Sequence, residues 1–355
     1  MRIEVYSPTI RRKEMDAVLT AMVEDKIGPG EQAKILIQTA REKLHFDYCL
    51  ALRSPAIALY LALKIICPQK GQGVVVSALS PLYYRQVIED LGLLPIFCDV
   101  LSSSAGIDRE AVKKAIAFNG GAQAGCIIVH HTLGYLSDVA AIAELGLPII
   151  EDCSQSYGSL PEVSGTEDEK PGEIGSGIFT ILGLEERDML TCGGGALLYS
   201  MNRRDAAMLR GLGDLPPEYG LPDMNAALAV VQFREAAKNL LKRKEIVNLY
   251  SHSVLRTRYK LLVQNDVANT PIEYNNYAFP IVLSQGMKDL KVSARRKDIA
   301  VETAFEKTLA GSGLVLQEQC PQAYSLSLRT ILFPLYPRLR MKDAERVAKL
   351  IQALP

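Results

Sequence analysis

The stretch LPIIEDCSQSYGS, residues 147–159, and its continuation GSGIFTILGLEERDMLTCGGGALL, residues 175–198, decide the fold. The apolar run Leu147-Pro148-Ile149-Ile150 ends on Glu151-Asp152. A parallel strand ending there delivers a carboxylate into the crevice beyond its carboxyl end. Gly193-Gly194-Gly195 then supplies the backbone freedom for a turn into another strand. An acidic, polar loop over residues 162–173 separates the two halves and reads as exposed.

Upstream, the same rhythm repeats. Residues 11–25 place Met15, Val18, Leu19 and Met22 at helical spacing, and Gly28-Pro29-Gly30 breaks that helix before a second over residues 31–44. YCLAL is a short strand that passes through Arg53-Ser54-Pro55 into the helix AIALYLALKII. Free N–H groups at such a helix start attract an anion, so this turn is a candidate phosphate site. GVVVSAL, PIFCDV, residues 124–131 and LPIIED read as strands, separated by helices over residues 84–91, 109–118 and 139–145. Strands that are nearly continuously apolar and alternate with helices indicate a parallel sheet covered on both faces. Their ends carry Ser54, Ser80, His131 and Asp152, so the candidate site is assembled from separate loops.

Residues 203–212 are helical, LPPEYGLPD interrupts, and a long helical pattern starts at Met224. Beyond it come a strand around residues 277–283, a helix near residues 298–309 and a closing helix over residues 342–354. The expected organisation is a large α/β domain over residues 1–233 and a smaller α+β domain over residues 234–355.

Forty basic and forty acidic residues cancel, which excludes bulk attraction to nucleic acid or an anionic membrane. The local run Lys242-Arg243-Lys244 reads as a solvated helix face. No apolar run spans a bilayer and the first residues hold no signal-peptide core, so a soluble cytoplasmic protein is expected. The seven cysteines stand singly without metal-binding spacing, which reads as buried thiols and no metal.

The order of these motifs resembles the DegT/DnrJ/StrS family of sugar aminotransferases, of fold type I among pyridoxal-phosphate (PLP) enzymes. The likeness runs through Ser54-Pro55-Ala56-Ile57-Ala58-Leu59, His131-Thr132-Leu133-Gly134 and Ile150-Glu151-Asp152-Cys153-Ser154-Gln155. It continues through Gly177-Ile178-Phe179-Thr180, Gly193-Gly194-Gly195 and Leu332-Phe333-Pro334-Leu335-Tyr336-Pro337. The resemblance implies a three-layer large domain with a mostly parallel sheet. It implies a PLP or pyridoxamine-phosphate (PMP) cofactor, a nucleotide-linked keto sugar as ligand, a role in surface polysaccharide or antibiotic sugar pathways, and a homodimer. In that reading Asp152 pairs with the pyridine nitrogen and Gln155 lies near the ring's phenolic oxygen. Thr180 stands where a serine bonds the phosphate, and Ser54 and Ala56 fall at the phosphate-binding helix start. His131, Tyr83 and Tyr157 are candidate substrate or ring contacts.

The departures from the family pattern are informative. The Schiff-base lysine falls at Glu185 when counted from Phe179 and at Arg187 when counted back from Gly195. A guanidinium stays protonated and a carboxylate cannot form an imine, so neither replaces it. No lysine occurs between Lys170 and Lys238, and Lys64 and Lys113 lie within helical runs. The usual Gly-Thr is Pro55-Ala56, which removes a donor N–H and a hydroxyl. The ring-stacking aromatic falls near Pro81, with Tyr83 and Tyr84 as displaced substitutes. The cross-subunit Asn-x-Arg-Met segment is replaced by Glu218-Tyr219-Gly220-Leu221, and Gly193 stands for the glycine-cluster acid. The expectation is a scaffold without Schiff-base transamination. The alternatives are a lysine-independent PLP or PMP enzyme, such as a sugar dehydratase, and a non-catalytic partner of an active paralogue.

Overall fold

The computed structural model describes residues 2–67, 69–118, 121, 123–161, 176–264, 267, 270–284 and 287–354. The acidic loop expected over residues 162–173 lies outside them. The chain opens with helices α1 (Arg12–Val23) and α2 (Glu31–Leu44). Strand β1 (Tyr48–Leu52) enters α3 (Pro55–Ile66), where Ser54 Oγ accepts the Ile57 N–H and Pro55 occupies a first-turn position that needs no donor. The alternation continues with β2 (Gly73–Ser77), α4 (Tyr83–Asp90), β3 (Leu94–Cys98), α5 (Arg109–Ala117), β4 (Ala124–His130), α6 (Val139–Ala143) and β5 (Ile149–Asp152). A two-residue strand, β6 (Leu160–Pro161), precedes β7 (Phe179–Gly183) and β8 (Ala196–Ser200).

These strands, β6 apart, form a seven-stranded sheet in the order β1-β8-β7-β5-β4-β2-β3. Only β8 runs against its neighbours; every other adjacent pair aligned in register is parallel. Side-chain alternation divides the sheet into two faces. Phe179, Ile181, Ala196 and Leu198 join one core with α3 and α4. Leu182, Leu197 and Tyr199 point the other way, into a core shared with α2 and the helix that follows. The α/β class and mostly parallel sheet expected from the sequence are what forms.

Helix α7 (Arg203–Arg210) leads to the long α8 (Asp223–Val254), so the division expected at residue 233 falls inside a continuous helix. Asp223 is buried and its Oδ1 accepts the Ala33 N–H in the first turn of α2. A Cβ at Gly30 would stand 2.9 Å from Asp223 Oδ2, so a side chain there would press on that carboxylate. The remainder adds β9 (Lys260–Leu261), β10 (Ile272–Glu273), β11 (Phe279–Val282), α9 (Met287–Arg296), β12 (Glu302–Thr303), α10 (Pro321–Arg329), β13 (Thr330–Phe333) and α11 (Met341–Gln352). A four-stranded antiparallel sheet, β12-β13-β11-β9, shares its core with the end of α8, α9 and α11. Ile3, near the chain start, joins this core beside Ile299.

Two expectations are corrected, for the helix near residues 298–309 and for the run Lys242-Arg243-Lys244. The helix near residues 298–309 is instead α9, placed earlier; Asp298 takes a left-handed φ of 56° and the β-branched Val301 and Thr303 favour the strand β12. The periodic face of α1 does not seek the core. Met15, Leu19 and Met22 are half exposed, while Glu14 and Ala21 are the residues buried on this helix. Within Lys242-Arg243-Lys244, the flanking lysines pair with Glu245 and Glu273 at the surface, but Arg243 is only 4% exposed. All seven cysteines are buried thiols. Among the described residues, no helix is long and apolar enough to cross a membrane.

Candidate functional site

Asp152 ends β5 with 1% exposure, so its carboxylate needs protein donors. It has them. Oδ1 accepts the Ser154 N–H at 2.9 Å and the Ser154 hydroxyl. Oδ2 accepts the Tyr84 hydroxyl, with Tyr83 at 3.5 Å. Burial, and then the charge of Asp152, push both phenols well above their usual range, so both stay protonated donors. The two rings meet edge to face at 4.9 Å, and Tyr84 stands edge-on to His130. Helix α4 thus closes this end of β5.

The β7–β8 connection brings a second carboxyl to the same place. Ser154 Oγ also accepts the Gly183 N–H at 2.8 Å. A Cβ at Gly183 would meet Asp188 Oδ2 at 2.3 Å and Ser154 Oγ at 2.6 Å, so glycine leaves room for both. Asp188 Oδ2 accepts the Glu185 N–H, and Met189 donates its N–H to the Ser154 carbonyl. Burial pushes the half-buried Asp188 up to about 8; the Glu185 N–H opposes this, and the charges of Asp152 and Glu185 add to it. Burial likewise raises Glu185.

Arg187 points outward and makes a two-pronged ion pair with Glu302 of β12, at 2.6 and 3.2 Å. Tyr6 and Tyr277 donate their hydroxyls to the Glu186 and Arg187 carbonyls. The connection is therefore fixed to the chain start and to the second sheet. Gly193, Gly194 and Gly195 have φ of 77°, 143° and 143°, which confirms the need for glycine in this turn.

The other expected site residues disperse. Thr180 pairs in register with Glu151 rather than Asp152, and so lies on the opposite face of the sheet. Its hydroxyl is enclosed without a hydrogen-bond partner. Gln155 Oε1 accepts the Leu133 N–H, and Tyr157 packs edge-on against Phe233. Ser54 is committed to its helix, and Ala56 is part of the first turn of α3. His131 is buried, accepts the Ser137 N–H at Nδ1, and so turns a protonated Nε2 toward Glu151 at 2.8 Å. Burial works against the Glu151 charge, but His131 and the Gly177 and Ser176 N–H groups outweigh it and hold that carboxyl below its usual range.

His131, Glu151 and Cys153 are the one set among the described residues whose ligand atoms could surround a metal. The proton on His131 Nε2 faces Glu151, so the set is a closed hydrogen-bond cluster. Lys64 and Lys113 are exposed on α3 and α5. Sequence reasoning missed Ser154 and Asp188. The signals were present: a hydroxyl two residues after an aspartate, and an aspartate three residues after Glu185, both form local side chain to backbone bonds.

Solved structures share this architecture over nearly the whole chain. The aminotransferase TlmJ of Streptoalloteichus hindustanus is 19% identical, covering 99% of this chain and 98% of its own, with a TM-score of 0.86. A protein of Streptococcus pneumoniae described as a sugar aminotransferase, solved with PMP, is 18% identical over 100% and 98%, with a TM-score of 0.85. A GDP-4-keto-6-deoxymannose-3-dehydratase with bound GDP-perosamine is 15% identical over 98% and 100%, with a TM-score of 0.80. These likenesses establish the fold. Residues 8–352 match the model of the DegT/DnrJ/EryC1/StrS aminotransferase family, and the chain belongs to that family.

Proposed function

We propose that this chain keeps the family scaffold in nucleotide-sugar metabolism but does not carry out Schiff-base transamination. The observation that carries this reading is the carboxylate of Asp152, whose two oxygens are already held by Ser154 and Tyr84. In the family, PLP supplies an electron sink, which depends on a carboxylate holding the pyridine nitrogen protonated. Here Asp152 has given that role to its own neighbours. The reactive amine is missing as well, because no lysine lies between Lys170 and Lys238. Thr180 faces away from Asp152, and Ser54 and Pro55 leave the α3 start with fewer donors for a phosphate. The residues present do not fit the cofactor.

What the crevice residues do instead is hold one another. Tyr84 and Ser154 keep Asp152 solvated by protein, Asp188 fixes the turn at Glu185, and Arg187 with Glu302 ties that turn to the second sheet. That is a binding or partner subunit rather than a self-contained aminotransferase. The outward stripe of Met15, Leu19, Met22 and Val23 on α1, with Val23 83% exposed, supports association with a second copy of the chain.

The test is to incubate the purified full chain with PLP, reduce with borohydride and measure intact mass. No phosphopyridoxyl adduct is expected, and no imine absorbance. A stoichiometric adduct would overturn the reading.

A further inference from the structure

Arg243 is the buried charge that nothing above uses. It lies on α8 with 4% exposure, and its Nη1 donates to three carbonyls, those of Asn276, Tyr277 and Leu335, at 3.3, 2.9 and 3.2 Å. Among the described residues it makes no ion pair with a carboxylate, and its three hydrogen bonds all leave from Nη1. Burial lowers its pKa, with Tyr6, Tyr277 and Tyr274 opposing, yet a guanidinium remains charged in any protein setting. Three carbonyl dipoles on one nitrogen leave the cation short of counter-charge.

The same guanidinium lines a cavity of about 20 Å³, bordered also by Asn239, Tyr157, Thr191 and Asp188. That is room for a water or an ion of similar size, and no more. Asn239 is buried and its Oδ1 has no partner. Amide oxygen and nitrogen are told apart by their partners, so turning this amide presents Nδ2 to an acceptor. Thr191 Oγ1 already accepts the Gly193 N–H, which leaves its O–H free to donate. Burial pushes the Tyr157 phenol up to about 12, so it too remains a donor. Donors therefore surround a space that holds a cation. Burial pushes the one acid on the wall, Asp188, up to about 8, which weakens it as a counter-charge to Arg243.

We propose that Arg243 and Asn239 form a buried site for a small monovalent anion of halide size, between α8 and the β7–β8 connection. At about 20 Å³ the cavity favours a small ion over a sugar, a nucleotide or a phosphate ester. The anion neutralises Arg243 and accepts from Asn239, Tyr157 and Thr191, so it ties α8 to the turn that carries Asp188. The inference stands apart from the loss of transamination, since neither Asp152 nor any lysine enters it.

Crystals of the full chain soaked in sodium bromide, measured at the bromine absorption edge, give the direct test. An anomalous peak within hydrogen-bond distance of the Arg243 guanidinium is expected. In solution, chloride or bromide should raise Tm by about 2 °C over gluconate at equal ionic strength, and the rise should saturate. Asn239→Leu fills the cavity while leaving the carbonyl bonds of Arg243 intact, and should abolish the halide response. No bromine peak would overturn the proposal. So would a peak with identical Tm in halide and gluconate, which marks an ion held at crystal concentration only.

Discussion

Asp152 and Asp188 approach the same serine and glycine, but their surroundings differ. Asp152 accepts two bonds from Ser154 and one from Tyr84, while among the described residues the Glu185 N–H is the one hydrogen-bond donor to the Asp188 carboxyl, which is pushed up to about 8. An acid whose folded pKa is raised binds its proton more tightly folded than unfolded. The stability it contributes is full below the ordinary aspartate range and is lost as pH rises toward about 8. Asp188→Asn keeps an acceptor for the Glu185 N–H and cannot ionise. Its stability relative to the natural chain should therefore climb with pH, reaching a gain of about 1–2 kcal/mol above pH ~8. Denaturant titrations at several pH values check this, and two parallel stability curves would contradict it. At this scale the sequence reads well where a residue ends an element. Asp152 and Ser54 stand where the apolar runs place them. It reads poorly where a residue's face depends on register, as for Thr180, or on which side of a helix is covered, as for Arg243.

Elements were legible where periodicity and local chemistry agree. The strands from β1 to β5, the helices between them, β8 and α8 follow from apolar runs, turn residues and caps. The strand β13 and helix α10 escaped because each is short and their partners, β11 and β12, lie far away in sequence. Helix α1 shows the limit of amphipathicity: its apolar stripe is real, but it faces away from α8. Glu14 is on the inner side instead, where its carboxylate accepts the Arg11 N–H and the Gln232 amide. The stripe of Met15, Leu19, Met22 and Val23 is exposed, and the proposed pairing with a second copy of the chain would cover it. Leu19→Glu places a charge in that stripe without disturbing the buried face of α1. It should weaken self-association at least tenfold by sedimentation while leaving far-UV circular dichroism unchanged. A mass of one chain in the natural protein at every concentration would rule out the pairing.

Across the whole molecule, family and fold were readable because many weak motifs occur in the family order over nearly the full chain. Present function was harder to read, because the absence of a lysine between Lys170 and Lys238 does not say what fills the space. The structure adds the filling: Ser154, Tyr84 and Asp188 converge on the end of β5, and Arg187 with Glu302 fastens the turn above them. The central claim is that the crevice is satisfied by its own side chains. Pyridoxamine phosphate tests it most directly, since this form of the cofactor requires no lysine. Calorimetric titration of the full chain with pyridoxamine phosphate should give no saturable heat. A saturable, one-to-one binding isotherm that is lost in Asp152→Asn would contradict the account and restore a lysine-independent cofactor enzyme.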